Sequence, residues 1–388
     1  MAEINRFSFA TSQQVIFGPG AIEELKRLLP GLGKNALLLT NRTFSLENPV
    51  AKNLLECQIP FEQMVITTEP DPECIKAGLD LVRKNSLDLV ISIGGGSVLD
   101  AGKAIAMLAA NGGDLYDYIE VIGNGFPITR RSIPFIAIPT TTGTGSEVTR
   151  NAVISLPEQG VKASLRSDHM FPTVAIIDPE LTVSLSPLVT AYTGMDALTQ
   201  VIEPYLSLKA NHFVDTICQD AINLAYHALE KAFLDGKDMQ ARTDMAYVSL
   251  IGGFALTNAG LGAVHGLAAA IGGAYDIPHG MICGILLPGV LNVNWQHIKN
   301  DPSKQDLQIK LYRIAKSAGF VGPEGVDQFI LSIFELKQRL GIKNLSDYGI
   351  QEADLPGIVE KAQNASSMKA NPIKIPAPEL LQLLKDNL

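Results

Sequence analysis

Few side chains in this sequence carry charge: Lys and Arg total 31 and Asp and Glu 40 in 388 residues, 18% of the chain, for a net charge of −9. There is no basic stripe, so nucleic acid and anionic membrane surfaces are not expected partners. Cysteine is sparse too. Cys57, Cys74, Cys218 and Cys283 are scattered with no C-x-x-C pair, which argues against a disulfide framework and against a thiolate zinc site and fits a reducing cytosol. The segment Met1 to Phe9 has no apolar h-region, so no secretory signal is expected and the protein is placed in the cytoplasm. No internal repeat, low-complexity tract or long flexible linker interrupts the chain. Between Asp244 and Asp276 charge is missing altogether, but glycines, Thr257, Asn258 and His265 break up the run and no basic residues flank it. A buried helix pair is expected there rather than a membrane span.

What is present is apolar: 46% of residues are hydrophobic, enough for a large buried core, and the length suggests two domains. Up to about residue 182 short apolar runs alternate with amphipathic helical ones. Gln14–Phe17, Ala36–Thr40, Leu87–Ile93, Ile133–Pro139 and Thr173–Asp178 read as strands, several continuously apolar as buried parallel strands are. This is the pattern of a doubly wound α/β sheet. Beyond Pro187 strand signals stop, and helical periodicity runs through Thr190–Ser207, Phe213–Leu234, Met239–Ala259, Lys304–Ala318, Gly325–Leu340 and Pro378–Asp386. The expected division is an α/β domain over residues 1–184 and an all-helical domain over residues 185–388.

Two loops in the first half carry chemistry. Gly94-Gly95-Gly96-Ser97-Val98-Leu99-Asp100-Ala101-Gly102-Lys103 follows a strand and opens a helix. Its glycines admit close approach of a ligand to the backbone, Ser97 suits an N-cap, and a helix start offers free N–H groups to an anion. It lacks the spacing of a Walker A loop and of G-x-G-x-x-G, so a plain strand-to-helix turn is the competing reading. The second loop, Pro139-Thr140-Thr141-Thr142-Gly143-Thr144-Gly145, also follows a strand and adds the hydroxyls of a cofactor crevice.

In the second half, Asp196 and Gln200 stand four apart, on one face of a helix. His265 lies in the charge-free stretch and His279 follows Pro278. An Asp and two His are good ligands for zinc or ferrous iron, with an amide oxygen as a weak fourth; two histidines in apolar surroundings also fit satisfied core positions.

Taken together, Val15–Gly20, the Gly94–Lys103 loop, Pro139–Thr149, Asp178-Pro179, Gly194–Gln200, His265-Gly266, Pro278-His279-Gly280 and Asn371-Pro372 resemble the iron-containing (group III) alcohol dehydrogenase family over nearly the whole chain. The resemblance implies an N-terminal dinucleotide-binding domain with a parallel sheet and a C-terminal all-α metal-binding domain, as in dehydroquinate synthase-like folds. It implies NAD or NADP as cofactor, a divalent metal (Fe²⁺ or Zn²⁺), a small alcohol or aldehyde as substrate and a homodimer or higher homo-oligomer. By motif, Gly95, Gly96, Ser97 and Asp100 fall on the pyrophosphate-binding segment, Thr140, Thr141 and Thr144 on contacts to the adenine and nicotinamide halves, and Lys162 on the lysine that reaches the nicotinamide ribose. Asp196, His265 and His279 fall on metal ligands that are also the catalytic centre.

Three positions depart from the family pattern. Gln200 replaces a histidine ligand, though the related glycerol dehydrogenases use three protein ligands. Ala269 stands where many relatives carry a second histidine facing the substrate. Asn41-Arg42 follows the second strand where NAD-preferring relatives place an Asp; a neutral Asn beside an Arg is expected to accept NADP as well. The resemblance therefore implies an NAD(P)-dependent alcohol dehydrogenase or aldehyde reductase. A metal-independent reductase of the maleylacetate reductase type and a non-catalytic dinucleotide-binding relative remain as alternatives.

Overall fold

The computed structural model describes residues 6–45 and 47–388. Two compact units are present. One is Ala10–Thr141 with Gly145–Val183; the other is Ser184–Leu388 with Thr142–Thr144 and, among the described residues, 6–9.

The first unit is built on a six-stranded sheet of order β1-β8-β5-β4-β2-β3, with every pairing parallel. The strands are β1 (Gln14–Phe17), β2 (Ala36–Thr40), β3 (Phe61–Val65), β4 (Leu89–Gly94), β5 (Phe135–Pro139) and β8 (Val174–Ile177). β6 (Asn151–Leu156) and β7 (Val161–Arg166) form a separate antiparallel hairpin. Helices α1 (Leu25–Leu28), α2 (Pro49–Glu56), α3 (Pro72–Asn85), α4 (Gly96–Asn111) and α5 (Leu115–Tyr118) join them. Alternating side chains on each central strand go to opposite faces. Leu37, Leu39, Val90 and Phe135 enter one core, and Leu38, Leu89, Ile91 and Ile136 enter the other. Two covered faces explain why these strands are apolar without interruption.

β3 and the hairpin have no counterpart in the expected elements. Phe61-Glu62-Gln63-Met64-Val65 lies at the sheet edge and is half polar. The hairpin alternates buried and half-buried residues, with Ala152, Ile154 and Leu156 turned into the core. A second difference concerns the glycine loop. Ser97 does not cap α4: Gly95 occupies the N-cap position and the helix begins at Gly96. With no side-chain cap, the first N–H groups of α4 have no acceptor within the helix.

The chain order reverses between β2 and β4, the switch point at which open α/β sheets bind ligands beyond the carboxyl ends of their strands. Asn41 follows β2, the Gly94–Ser97 turn ends β4 and Thr140 follows β5. The last two loops are joined directly, since Thr140 N–H donates to Gly94 O at 2.9 Å.

The threonine loop is held from below by buried charges on α4. Lys103, fully buried, donates to Ser146 O and Thr149 Oγ1, both at 2.9 Å, and to Asn151 O. Asp100 pairs with it at 3.2 Å and accepts from Ser146 Oγ (2.6 Å) and Val153 N–H (2.9 Å). Glu147 lies in the same loop, 1% exposed.

The second unit is helical: α6 (Pro187–Leu206), α7 (His212–Leu234), α8 (Met239–Ala259), α9 (Ala263–Gly272), α10 (His279–Ile298), α11 (Gln305–Ser317), α12 (Gly325–Arg339), α13 (Leu355–Asn364) and α14 (Ala377–Lys385). One continuous core runs through it. The charge-free stretch forms most of α8 and all of α9, bent by 98° to one another. Among the described residues no single helix is long and apolar enough to cross a membrane.

Burial pushes the Glu147 carboxyl up from 4.5 to about 7, with its backbone hydrogen bond and Lys103 pulling the other way. Between those values the folded chain holds a proton that the unfolded chain has released, so stability falls as pH rises through the window. Glu147→Gln mimics the protonated form. It is expected to unfold at higher temperature than the parent at pH 8, by up to about 3 kcal/mol at about 1.4 kcal/mol per pKa unit, and to match it at pH 4.5. Thermal unfolding at both pH values checks this; an equal difference at both would show that Glu147 does not titrate in that range.

Candidate active site

Helix α6 places three polar side chains in one stripe. Asp196, Gln200 and Glu203 are spaced by four and three, which brings them onto one helix face. They are 2%, 3% and 5% exposed in an otherwise apolar helix. Each must find a partner or a ligand, because an unpaired buried polar group is costly.

Glu203 finds three donors around the start of α9. Its Oε2 accepts from Gly262 N–H at 2.9 Å and its Oε1 from Val264 N–H at 2.7 Å. Between these, Ala263 N–H donates to Asn371 Oδ1 at 3.2 Å. Asn371 is itself fixed by donating to Asn294 Oδ1 (2.9 Å) and Ile373 O (2.7 Å). A Cβ at Gly262 would lie 2.7 Å from Glu203 Oε1 and 3.0 Å from Asn371 Oδ1, so glycine is required there. Glu203 Oε2 also stands 2.7 Å from His265 Nδ1. A carboxylate only accepts, which puts a ring proton on Nδ1 and turns Nε2 toward Asp196, as a ligating imidazole would be turned.

His279 opens α10. The first turn of that helix approaches α6 so closely that a Cβ at Gly280 would lie 2.4 Å from Tyr192 O and 3.1 Å from Asp196 Cβ. This close approach brings His279 beside Asp196. His265 Nε2 is 3.4 Å and His279 Nε2 is 4.0 Å from Asp196 Oδ1. Burial opposes both charges, but the imidazoles hold Asp196 below the usual carboxylate range, and Cys283, Asp196 and Glu203 hold His265 well above its ordinary value.

The residues therefore fit a cation. Asp196 Oδ1 and Gln200 Oε1 are buried acceptors with no hydrogen-bond partner among the described residues, and two imidazole nitrogens converge beside the first. Gln200 Nε2 donates to Gly143 O at 3.2 Å, so the amide is anchored through its nitrogen. Ala269, one turn beyond His265, is exposed and offers no proton acceptor.

Sequence reasoning missed two members of this site. Glu203 was signalled by its place seven residues after Asp196, a second buried acid on the same face. Cys283 was signalled by its place four residues after His279. Its Sγ lies 3.9 Å from His265 Nε2 and 3.7 Å from His279 Nε2, and Asp196, His265, His279 and Cys283 each offer a ligand atom within 4.8 Å of all the others. The sequence argued against a thiolate zinc site because no cysteine pairs with another along the chain; in space Cys283 nonetheless stands beside two histidines.

In the α/β unit, Gly95 and Thr141 face one another: a Cβ on Gly95 would stand 3.5 Å from Thr141 Oγ1. Gly96 and Ser97 form the first turn of α4, and Thr140, Thr141 and Thr144 are half-buried. Both oxygens of Asp100 are engaged by the loop and the hairpin described above. Asn41 Oδ1 accepts from Thr43 N–H and Oγ1 at 3.2 and 2.9 Å, closing its own turn, and Arg42 is exposed. Lys162, on β7, pairs with Glu69 at 2.7 Å.

Outer hydrogen bonds to a ligating imidazole typically change metal affinity about 10–100-fold. Glu203→Gln keeps the shape but turns one acceptor into a donor against three N–H groups. It is expected to weaken Zn²⁺ binding by about 10–100-fold in competition with a chromophoric chelator while nucleotide binding is unchanged; equal zinc affinity would show that Glu203 only caps α9.

Comparison with known proteins agrees with this geometry. Residues 12–179 match the model of the iron-containing alcohol dehydrogenases, and residues 190–388 match the C-terminal domain of the Fe-containing alcohol dehydrogenase family. The chain is similar to alcohol dehydrogenase 4 of Saccharomyces cerevisiae, with 35% identity over 376 residues and 95% of each chain covered. It is similar to the NAD-dependent methanol dehydrogenase of Bacillus methanolicus, with 32% identity over 388 residues covering 96% of this chain and 97% of that one. A crystal structure of 1,3-propanediol oxidoreductase superposes with a TM-score of 0.91 at 33% identity, covering 99% of this chain and 100% of the other. A parallel sheet with a glycine turn at its switch point, a helical unit carrying Asp196, His265 and His279, and matches spanning both place this chain in the iron-containing alcohol dehydrogenase family.

Proposed function

We propose that the chain catalyses reversible hydride transfer between C4 of NAD(H) or NADP(H) and a small primary alcohol or aldehyde, assisted by a divalent cation on Asp196, His265 and His279. The observation that carries this reading is the buried Asp196 Oδ1, without a hydrogen-bond partner and 3.4 Å from His265 Nε2. When bound, the cation supplies Lewis-acid polarisation of the substrate oxygen and the nicotinamide supplies the hydride.

The chain's residues do the rest. Glu203 keeps the His265 ring proton on Nδ1 and so keeps Nε2 available. Gly95, Gly96 and Ser97 direct the first N–H groups of α4 at the cofactor diphosphate, and Thr140, Thr141 and Thr144 contact its adenine and nicotinamide halves. Asp100 serves that segment by pinning Ser146 and Val153. Lys162 serves the nicotinamide ribose once its pairing with Glu69 opens. Asn41 presents no charge against a 2′-phosphate and Arg42 can pair with one, so NADP(H) is accepted alongside NAD(H). Because residue 269 is alanine, the hydroxyl proton released on alcohol oxidation passes to water, a ribose hydroxyl or another side chain.

The test is aldehyde-dependent oxidation of NADH and NADPH by the enzyme as purified, after chelation, and after readdition of Zn²⁺ or Fe²⁺. Activity is expected to disappear on chelation and return with metal. His265→Ala is expected to lower kcat/KM by about 10²–10³-fold, the loss of several kcal/mol of charge stabilisation at about 1.4 kcal/mol per decade, with nucleotide binding retained. Activity that survives both treatments would leave a metal-independent reductase as the correct reading.

A further inference from the structure

We propose that Cys283 is a metal ligand, joining Asp196, His265 and His279 in a four-donor set that favours zinc over ferrous iron. The inference rests on the metal-assisted reading above and specifies which atoms hold the ion.

The first argument is geometric. A zinc ion with bonds of about 2.0–2.1 Å to nitrogen and oxygen and about 2.3 Å to sulfur needs tetrahedral edges of roughly 3.3–3.6 Å. Four of the six edges, His265 Nε2–Asp196 Oδ1, Cys283 Sγ–His279 Nε2, Cys283 Sγ–His265 Nε2 and His279 Nε2–Asp196 Oδ1, measure 3.4, 3.7, 3.9 and 4.0 Å, and all six lie within 4.8 Å. The first falls in this range and the other three lie just beyond it, so small side-chain adjustments close the set around an ion; the buried Asp196 oxygen, without a hydrogen-bond partner among the described residues, occupies another corner. The spacing has a simple origin. His279 and Cys283 are one turn apart on α10 and share a face, and the same close helix contact at Gly280 that delivers the imidazole delivers the sulfur.

The second argument is the chemistry of the alternatives. Gln200 offers a neutral amide oxygen, a weak donor, and its nitrogen is committed to Gly143 O. A thiolate is far stronger, is soft, and shifts selection from iron toward zinc. The remaining cysteines stand elsewhere: among the described residues Cys283 is the one that belongs to a metal-ligating cluster. On binding, the S–H bond breaks, its proton leaves to solvent, and a sulfur–metal bond forms. With all four protein donors engaged, an ion held there would take a substrate oxygen only by accepting a further donor.

Two measurements test this without relying on turnover. The metal-stripped enzyme is loaded with Co²⁺ and its absorption spectrum recorded. A thiolate-to-cobalt charge-transfer band in the near ultraviolet is expected, and Cys283→Ala is expected to lose that band while keeping the visible d–d bands. Competition with a chromophoric chelator is expected to show Zn²⁺ affinity falling in Cys283→Ala by at least the about 10–100-fold typical of a lost outer partner, with Fe²⁺ affinity falling less. Stoichiometric Co²⁺ bound by the parent without a charge-transfer band overturns the proposal while leaving the metal reading intact. Unchanged zinc affinity in Cys283→Ala does the same. Failure of the parent to bind Co²⁺ or Zn²⁺ overturns both. If Cys283→Ala does not fold by circular dichroism, the parent's cobalt spectrum alone decides.

Discussion

A single carboxylate sets the helical unit's site. Glu203 accepts the N–H groups of Gly262 and Val264 and orients His265 through Nδ1. The same oxygens therefore cap a helix and hold the ring of its histidine. A helix start buried without acceptors would leave several N–H groups unpaired; Glu203 and Asn371 remove that cost in the act of aiming the imidazole. Stability and chemistry are not separable here, because the hydrogen bonds that keep α9 folded are the ones that place its histidine.

The α/β unit uses the same device at a different place. Asp100 and Lys103, three residues apart on α4, hold the threonine loop and the hairpin through Ser146, Thr149, Asn151 and Val153. The lysine that a nucleotide-binding reading would aim at phosphate is turned inward, fully buried, and its donors go to backbone and hydroxyl oxygens. At the start of the same helix Gly95, Gly96 and Ser97 offer backbone N–H groups rather than a side-chain cation, the form of donor an anion takes at a helix N-terminus. In both units an irregular segment is held in shape by a buried charge with several partners, not by the regular ladder of a helix or sheet.

These arrangements explain what could and could not be read along the chain. Continuously apolar strands such as Ala36–Thr40 and long helices such as Met239–Ala259 show their periodicity directly, because burial selects the residue at every position. β3 is hidden because an edge strand needs only one apolar face, and Glu62 and Gln63 break the pattern. Asp196 and Gln200 were legible from spacing, but Glu203 reads as an ordinary acid until its three N–H partners are seen. Cys283 is the plainest case: its meaning depends on His265, eighteen residues away, and the α6–α10 contact at Gly280 that no local pattern reveals. Ser97 illustrates the converse error, since a residue type well suited to capping sits in the first turn of a helix that glycine caps and begins.

His279 differs from the other donors in one respect. Its side chain is 39% exposed, whereas those of Asp196 and His265 are 3% and 6% exposed. It is the first residue of α10 and stands at the rim of the cluster, whereas Asp196, His265 and Cys283 lie in the packed core. The buried donors are thus bordered by one that water reaches, so the cluster's charge meets a high dielectric on that side and a low one on the others.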